Sequence, residues 1–373
     1  MTIPNTMRAF VLTGHGDMDK LVFHDDWPTP RPEAGEVLIQ VKACGLNNTD
    51  VNTRTAWYSK AVNENTTGSG FAKVDEDDAS WGGVSLKFPR IQGADVCGFV
   101  VAVGDGADPA LIGRRVLIDT WLRDWDNPLD LDKCGYFGSE LDGGFADYTK
   151  IDQVYVYPVD SELKDAELAT FATSYVTAEN MLNRAQVGVG DTVLIPGASG
   201  GVGSALVQLA NRRGATTIAL ASADKHAELA AINPTAILPR SPEDLKAALL
   251  EAIGQSTATV VADVVGGTMW PRLIDVLARS GRYTCAGAIA GPIVEMDLRT
   301  FYLRDLTFTG ATVVPPGVFA DLVGYIERGE IRPILAKTFP LEQLHAAQTA
   351  FIEKKHIGNI VVTHNTPGSQ QAR

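Results

Sequence analysis

The sequence predicts a two-domain α/β protein in which a β-rich first domain precedes a doubly wound parallel sheet. Three observations predict it. Short apolar runs, punctuated by glycine and proline, fill the chain up to Val159 before any clear helix. From Pro158 onward, helical and strand patterns alternate. Between Thr192 and Ala215 the chain reads as strand, small-residue turn and helix in direct succession.

In the first domain the expected strands are MRAFVLT, GEVLIQVKACGL, FVVAVG, RRVLIDTW, GGFADYTKI and VYVYPV, the second introduced by the proline-rich turn WPTPRPEAGE. Many short strands of this kind suggest a small barrel-like domain. The segment 59–89 breaks the rhythm, being polar and glycine-rich with the acidic cluster Asp75-Glu76-Asp77-Asp78. It is either a solvated surface loop or a lid over a pocket, since long ordered loops in compact domains are often functional. Its carboxylates lack the alternate spacing, central glycine and closing glutamate of a calcium loop.

Beyond Pro158 the segment 162–187 reads as one or two helices. TVLIPG is a strand, followed by the glycine turn and a helix closed by Gly214. TTIALAS and AILPR are strands flanking the helical DKHAELAAI. SPEDLKAALLEAI is a helix with Ser241 as its expected N-cap. TVVADVVGG is an apolar strand, MWPRLIDVLARSGR a helix closed by Gly281, and RYTCAGAIAG and LTFTGATVV further strands. Two helices and the strand IGNIVVT follow Pro315, and the tail is expected to rejoin the first domain. The domains are then 1–160, rejoined by 316–373, and 161–315. TPGSQQAR, beyond His364, is expected to be disordered.

Composition removes several classes. A formal net charge of −13 over 373 residues argues against nonspecific nucleic-acid binding. No apolar run approaches the roughly 20 residues that cross a bilayer, and the N-terminus lacks the charged and apolar regions of a secretory leader. A cytoplasmic protein with no membrane contact is expected. Cys44, Cys97, Cys134 and Cys285 form no C-x-x-C and read as reduced, incidental thiols. None of the six histidines has metal-ligand spacing with another, and none is assigned to catalysis.

The turn is the first chemical signal. The strand Val193-Leu194-Ile195 runs into Gly197, Ala198, Ser199, Gly200, Gly201, Val202 and Gly203, and then into helical spacing. A helix N-terminus presents unpaired N–H groups and a partial positive charge, which an anionic pyrophosphate can reach if no Cβ blocks it. Ala198, Gly200 and Gly203 give A-x-G-x-x-G in the position of the dinucleotide fingerprint. A plain tight β–α turn is the alternative.

Several further pieces fall in order along the chain: GLNNTDVNTRTAWY at 45–58, GADVCGFVVAVG at 93–104, GGFADY at 143–148, TSYVTAENML at 173–182, DVVGG at 263–267 and HIGNIVVT at 356–363. With the glycine turn, they make the chain resemble the medium-chain dehydrogenase/reductase superfamily, and within it the zinc-independent quinone oxidoreductase-like branch. The resemblance spans nearly the whole chain apart from 59–89 and the tail. It implies a GroES-like substrate domain, a Rossmann domain, and hydride transfer from a nicotinamide held in the cleft between them.

Zinc members of the superfamily carry a Cys just before the T-D pair and G-H-E later; here those positions hold Asn47 and Gly93-Ala94-Asp95. A catalytic zinc needs about three protein ligands, which an amide and a methyl group do not supply. The lobe of four clustered cysteines is also missing, with only Cys134 between Asp119 and Tyr148. No metal is expected.

Without a Lewis acid, a quinone or an α,β-unsaturated carbonyl is the expected acceptor, with hydrogen-bond donors serving its oxygen. By the resemblance Asn48 and Tyr58 face the nicotinamide and substrate. Tyr58 either donates its proton or forms an aromatic wall, and Asn47 and Asn48 either act there or make turn hydrogen bonds. Asp50 is expected to fix its loop, with Arg54 as partner. For the cofactor, the second Rossmann strand ends in Ser222 rather than an acid, with Lys225 and Arg240 nearby. These favour NADPH over NADH through its 2′-phosphate; Asp224 is expected to open the helix and point away. The resemblance places Thr177 at the nicotinamide, and Val265, Gly266 and Gly287 at strand ends along the cofactor. The alternatives are an enoyl-thioester reductase on the same fold and a non-catalytic NADPH-binding sensor. The apolar strand LTFTGATVV, near the end of the sheet, suggests a homodimer.

Overall fold

The computed structural model describes residues 2–364 apart from 73 and 83–84; the tail TPGSQQAR lies outside the described residues. The second domain is a six-stranded parallel sheet. Its spatial order is Ala236–Pro239, Thr216–Ala221, Thr192–Pro196, Ala258–Asp263, Leu277–Cys285 and Thr307–Gly310. The chain enters at Thr192–Pro196, winds outward one way and then the other, so the switch point falls at that strand's end. Its five residues are all buried, as a strand covered on both faces requires. Leu194 and Ile195 pair with Ile218 and Ala219 on one side, and Val193 and Leu194 with Val260 and Val261 on the other.

Two details of this domain depart from expectation. The N-cap before Leu245–Ile253 is Asp244, whose carboxylate accepts the Ala247 N–H at 3.0 Å, and not Ser241. The helix Trp270–Asp275 stops well short of Gly281, because Leu277, fully buried, already pairs with Ala258. The left-handed residue in that strand is Ser280 (φ +59).

The first domain is built on a seven-stranded sheet. Its path runs Leu335–Pro340, Asn359–Thr363, Glu36–Gly45, Asp95–Val103, Arg115–Ile118 and Val156–Pro158, with Tyr148–Asp152 also pairing Glu36–Gly45. The C-terminal strand pairs Val361 with Gly45 and Val362 with Cys44, which brings the last segment back to the first. The strand Leu335–Pro340 had no counterpart in the sequence reading. Phe10, Leu12, Ile39, Val96 and Phe145 lie in this domain's apolar core.

The domain is not all-β. Asn48–Thr55 is an α-helix capped by Asn47, whose own N–H donates to the Asp50 carboxylate at 2.7 Å. LNNTDVNTRT has no apolar period, because the helix buries polar side chains through hydrogen bonds. Arg54, wholly buried, donates to the carbonyls of Gly16 and Gly68 and to Gln348 Oε1. Arg54 is therefore not the partner of Asp50.

The segment 59–89 is pinned at several points. Gly68 takes the Arg54 bond, Gly70 N–H donates to Asp17, and Thr66 Oγ1 donates to Asn52 Oδ1. Thr66 N–H donates to the Ile289 carbonyl of the other domain at 3.1 Å. The segment thus straps the two domains together.

Candidate active site

The cleft lies where the sheet's switch point meets the helix Asn48–Thr55 and the C-terminal segment. The glycine turn forms one wall. Gly200, the exposed N-cap of the helix Gly201–Arg212, has φ −80°, and a Cβ there would meet nothing closer than Gly197 O at 3.6 Å. Gly203 is different: its Cβ would come within 2.2 Å of Gly197 O and 2.7 Å of Ala198 Cα. The turn and helix touch there, so no side chain fits. At Gly201 a Cβ would strike Ser174 Oγ at 2.5 Å and the Asn359 amide, so this glycine admits the other domain's strand. Ala198 is buried, Val202 half-buried, and Ser199 gives its carbonyl to Gly358 N–H. The Gly200 N–H closes the turn onto Gly197 O at 3.0 Å, so the N–H groups that fit a dinucleotide's pyrophosphate are those of the first turn of the helix Gly201–Arg212, which no side chain caps.

Val265 packs beside Gly197, and its N–H donates to Asp263, as does that of Gly266. Gly287 follows the end of the strand Leu277–Cys285 and is half-buried. Thr177 lies on the helix Ala172–Arg184. In its first two turns only Thr173 and Thr177 are partly exposed, one turn apart on a single face.

At the end of the second strand, Ser222 and Asp224 meet, and the Ser222 hydroxyl holds the Asp224 carboxyl below its ordinary range. Asp224 stands in the first turn of the short helix Ala223–Lys225, as expected of a residue that opens it, with its carboxyl on Ser222. Lys225 differs from expectation: its ammonium donates to the carbonyls of Lys354 (2.6 Å) and His356 (2.9 Å).

Lys354 is the residue that sequence reasoning missed. Its ammonium donates to Asn48 Oδ1 at 2.8 Å and lies 3.6 Å from the centre of the Phe351 ring. The residue is solvent-exposed as a whole, but its ammonium runs among protein atoms in the cleft, and this, with nearby Lys225, lowers its pKa to about 7. Its left-handed backbone (φ +54) is the turn that aims it inward. Nothing in KKH marks one lysine over the other; only the return of the C-terminal strand brings Lys354 to Asn48. Asn48, Val51, Thr66, Arg240, Ile289 and Lys354 line a cavity of about 180 Å³ between the domains. Arg240 and Asn48 are thereby brought together.

Tyr58 donates its hydroxyl to Thr49 Oγ1 at 3.2 Å, and burial raises its pKa. Deeper lie two carboxyls. Burial pushes Asp50 up to about 7 against the bond from Asn47, and Asp95 up to about 6 against bonds from Thr173. Asp95 Oδ1 accepts the Thr173 N–H at 2.8 Å and the Thr173 hydroxyl, with the Asn47 amide beside it. A catalytic zinc does not fit this set: Ala94 offers a methyl, Asn47 an amide, and the carboxyl is already held by donors. Among the described residues no group of three or more His, Cys, Asp or Glu could hold a metal ion. Burial raises the Cys44 and Cys97 thiols well above their ordinary value, so they remain protonated. No helix among the described residues is long and apolar enough to cross a membrane.

Two family models match the chain: the alcohol dehydrogenase GroES-like domain over residues 33–161 and the zinc-binding dehydrogenase over 201–328. A solved structure from Sinorhizobium meliloti 1021, provisionally assigned as an alcohol dehydrogenase, is 44% identical with a TM-score of 0.88. It covers 97% of this chain and 98% of its own. A quinone oxidoreductase of Lama guanicoe is 25% identical over 91% of this chain and 92% of its own length. An acryloyl-coenzyme A reductase of Metallosphaera sedula is 23% identical over 96% of this chain and 100% of its own.

Proposed function

Because the chain belongs to the medium-chain dehydrogenase/reductase superfamily, in its quinone oxidoreductase-like branch, we propose that it is an NADPH-dependent, zinc-independent reductase of quinones or α,β-unsaturated carbonyls. The observation that carries this reading is the pair Asn47 and Ala94, an amide and a methyl where zinc members hold Cys and His. A bound nicotinamide supplies the hydride. In a conjugated acceptor, charge gathers on an oxygen remote from the carbon attacked, so fixed hydrogen-bond donors can replace a Lewis acid. Asn48, which lines the cavity, and Tyr58, whose hydroxyl here donates to Thr49, would be those donors. Arg240 and Lys354, with Lys225 behind them, supply positive charge for a 2′-phosphate.

A second reading, preference for NADH, is favoured by Asp224 beside Ser222, an acid close to where a ribose 2′-hydroxyl would be gripped. The deciding experiment follows nicotinamide absorbance with NADPH and with NADH. Its acceptors are a benzoquinone, a naphthoquinone, a short enone, an enoyl thioester and a simple aldehyde, with and without EDTA. Quinone or enone turnover with NADPH, unaffected by EDTA, is expected. Aldehyde turnover abolished by EDTA overturns the zinc argument. Turnover of the thioester alone moves the reading to an enoyl-thioester reductase. Binding without turnover of any acceptor moves it to a sensor.

We also infer a homodimer. The strand Thr307–Gly310 ends the parallel sheet. Beside it in sequence Ile293 (68%), Leu298 (67%) and Tyr302 (60%) are exposed apolar side chains, a patch that pairing of two edges would cover. A monomer by light scattering at micromolar concentration removes this inference.

A further inference from the structure

Asn48 lines the cleft; a buried hydroxyl beside the Asp50 and Asp95 carboxyls, that of Tyr136, has no role so far. Tyr136 Oη lies 2.5 Å from Thr173 Oγ1. The hydrogen-bond direction follows from the third member of the chain. Asp95 Oδ1 takes both the N–H and the O–H of Thr173, so the Thr173 proton is committed to the carboxylate. In the Tyr136–Thr173 pair the tyrosine is then the donor, and its proton rests on a neutral hydroxyl.

The ring is fixed. Tyr136 pairs with Trp121 in a two-stranded ladder, and its N–H donates to Glu140 Oε2 at 2.6 Å. The Trp121 ring packs against it at 5.3 Å, and Trp81, from the strap, at 6.4 Å. Only the O–H torsion is free to move. Thr173 lies one helical turn, about 5.4 Å of rise, from Thr177, on the single partly exposed face of the helix's first two turns. If the nicotinamide end lies at Thr177, as the resemblance implies, a substrate oxygen there would lie about one turn from a hydroxyl parked at Thr173.

We propose that Tyr136 is a catalytic residue, a hydrogen-bond donor to the substrate oxygen on which charge develops, with Thr173 and Asp95 as the positioning residues that hold its proton ready. The proposal rests on the reductase reading above. It requires no proton transfer: the O–H swings from Thr173 to the substrate oxygen, where a fixed donor in a dry site lowers the barrier.

The test pairs kinetics with a binding readout that needs no turnover. Tyr136→Phe keeps the ring and is expected to lower kcat about 10²-fold, the cost of losing one such donor, with little change in the KM for the nicotinamide. Thr173→Val is expected to lower kcat less, with Thr173→Ser restoring it. The second readout is para-nitrophenolate, an oxyanion whose absorption moves to shorter wavelength when it accepts a hydrogen bond. The shift should be present in wild type and in Tyr58→Phe, reduced in Tyr136→Phe, and independent of any acceptor's turnover. If wild type turns over none of the acceptors yet shows the Tyr136-dependent shift, the reductase reading fails and the donor stands. If Tyr136→Phe keeps both kcat and the shift, or wild type shows no shift, Tyr136 is a wall residue and the proposal is overturned.

Discussion

Gly200 and Gly203 belong to one fingerprint yet should fail in different ways when replaced by alanine. At Gly203 the added methyl would lie 2.2 Å from Gly197 O and 2.7 Å from Ala198 Cα, both backbone atoms that cannot swing aside. Overpacking of this kind costs about 1–3 kcal/mol. At roughly 2–4 °C per kcal/mol for a domain of this size, Tm should fall by about 2–12 °C. At Gly200 the nearest atom is 3.6 Å away and φ is −80°, so the fold should accept alanine with Tm nearly unchanged. The methyl would instead project at the open turn where the pyrophosphate's charged oxygens need the N–H groups. Losing one hydrogen bond to a charged group costs about 1.5–3 kcal/mol, a weakening of about 10- to 150-fold in cofactor Kd. Thermal unfolding and titration of nicotinamide fluorescence on both variants separate the two effects. A Gly200→Ala protein with wild-type Kd would refute the assignment of the turn to the pyrophosphate. A Gly203→Ala protein with wild-type Tm would refute the packing argument.

The cleft and the strap carry three more predictions. Lys354 is held near a pKa of about 7 by burial and by Lys225; only its protonated form attracts phosphate, so cofactor affinity should be greatest below about 7 and weaken as pH rises through it. Lys354→Met should flatten that profile, and an equal pH dependence in the variant counts against Lys354 as a contact. Arg54→Leu strands the carbonyls of Gly16 and Gly68 and the Gln348 side chain, at ~1–3 kcal/mol for each buried orphan; denaturant unfolding should show a loss of about 3 kcal/mol or more, and an unchanged midpoint contradicts the accounting. Thr66→Pro deletes the N–H given to Ile289 and should raise KM for the acceptor about 3- to 10-fold, the equivalent of one net hydrogen bond; an unchanged KM makes 59–89 a surface loop.

The alternating half of the fold was legible because its periods are apolar. Val193, Leu194 and Ile195 could only be a buried strand, and the glycines after them could only turn. Boundaries were lost where local and long-range signals compete. Leu277 fits the helical pattern of its neighbours, yet it pairs with Ala258 across the sheet, and tertiary pairing prevails over propensity. The helix Asn48–Thr55 was illegible for a different reason. Five of its six buried residues, Asp50, Asn52, Thr53, Arg54 and Thr55, are polar, and the partners of Arg54, namely Gly16, Gly68 and Gln348, lie apart from it in sequence, so no local pattern announces them.

The same limit applies to the proposed site, and it explains which of its residues a sequence can single out. Asn48, Tyr58, Arg240 and the glycines sit in motifs and could be chosen by position. Lys354 and Tyr136 sit in none. Lys354 reaches Asn48 only because Val361 pairs with Gly45, which carries the preceding turn into the cleft. Tyr136 reaches Thr173 only because Trp121 and Tyr136 face each other in a short ladder. The first pairing closes a long loop of chain and the second a short one, and on the proposed reading both bring a proton donor to a cleft whose glycine wall meets an anion. On the proposed reading, Asn47 and Ala94 leave that cleft without metal ligands, and the strand pairings would supply hydroxyl and ammonium donors in their stead. Cofactor charge and acceptor charge would then both be met by N–H and O–H groups held in place before the ligands arrive, the arrangement in which fixed dipoles cost least to use.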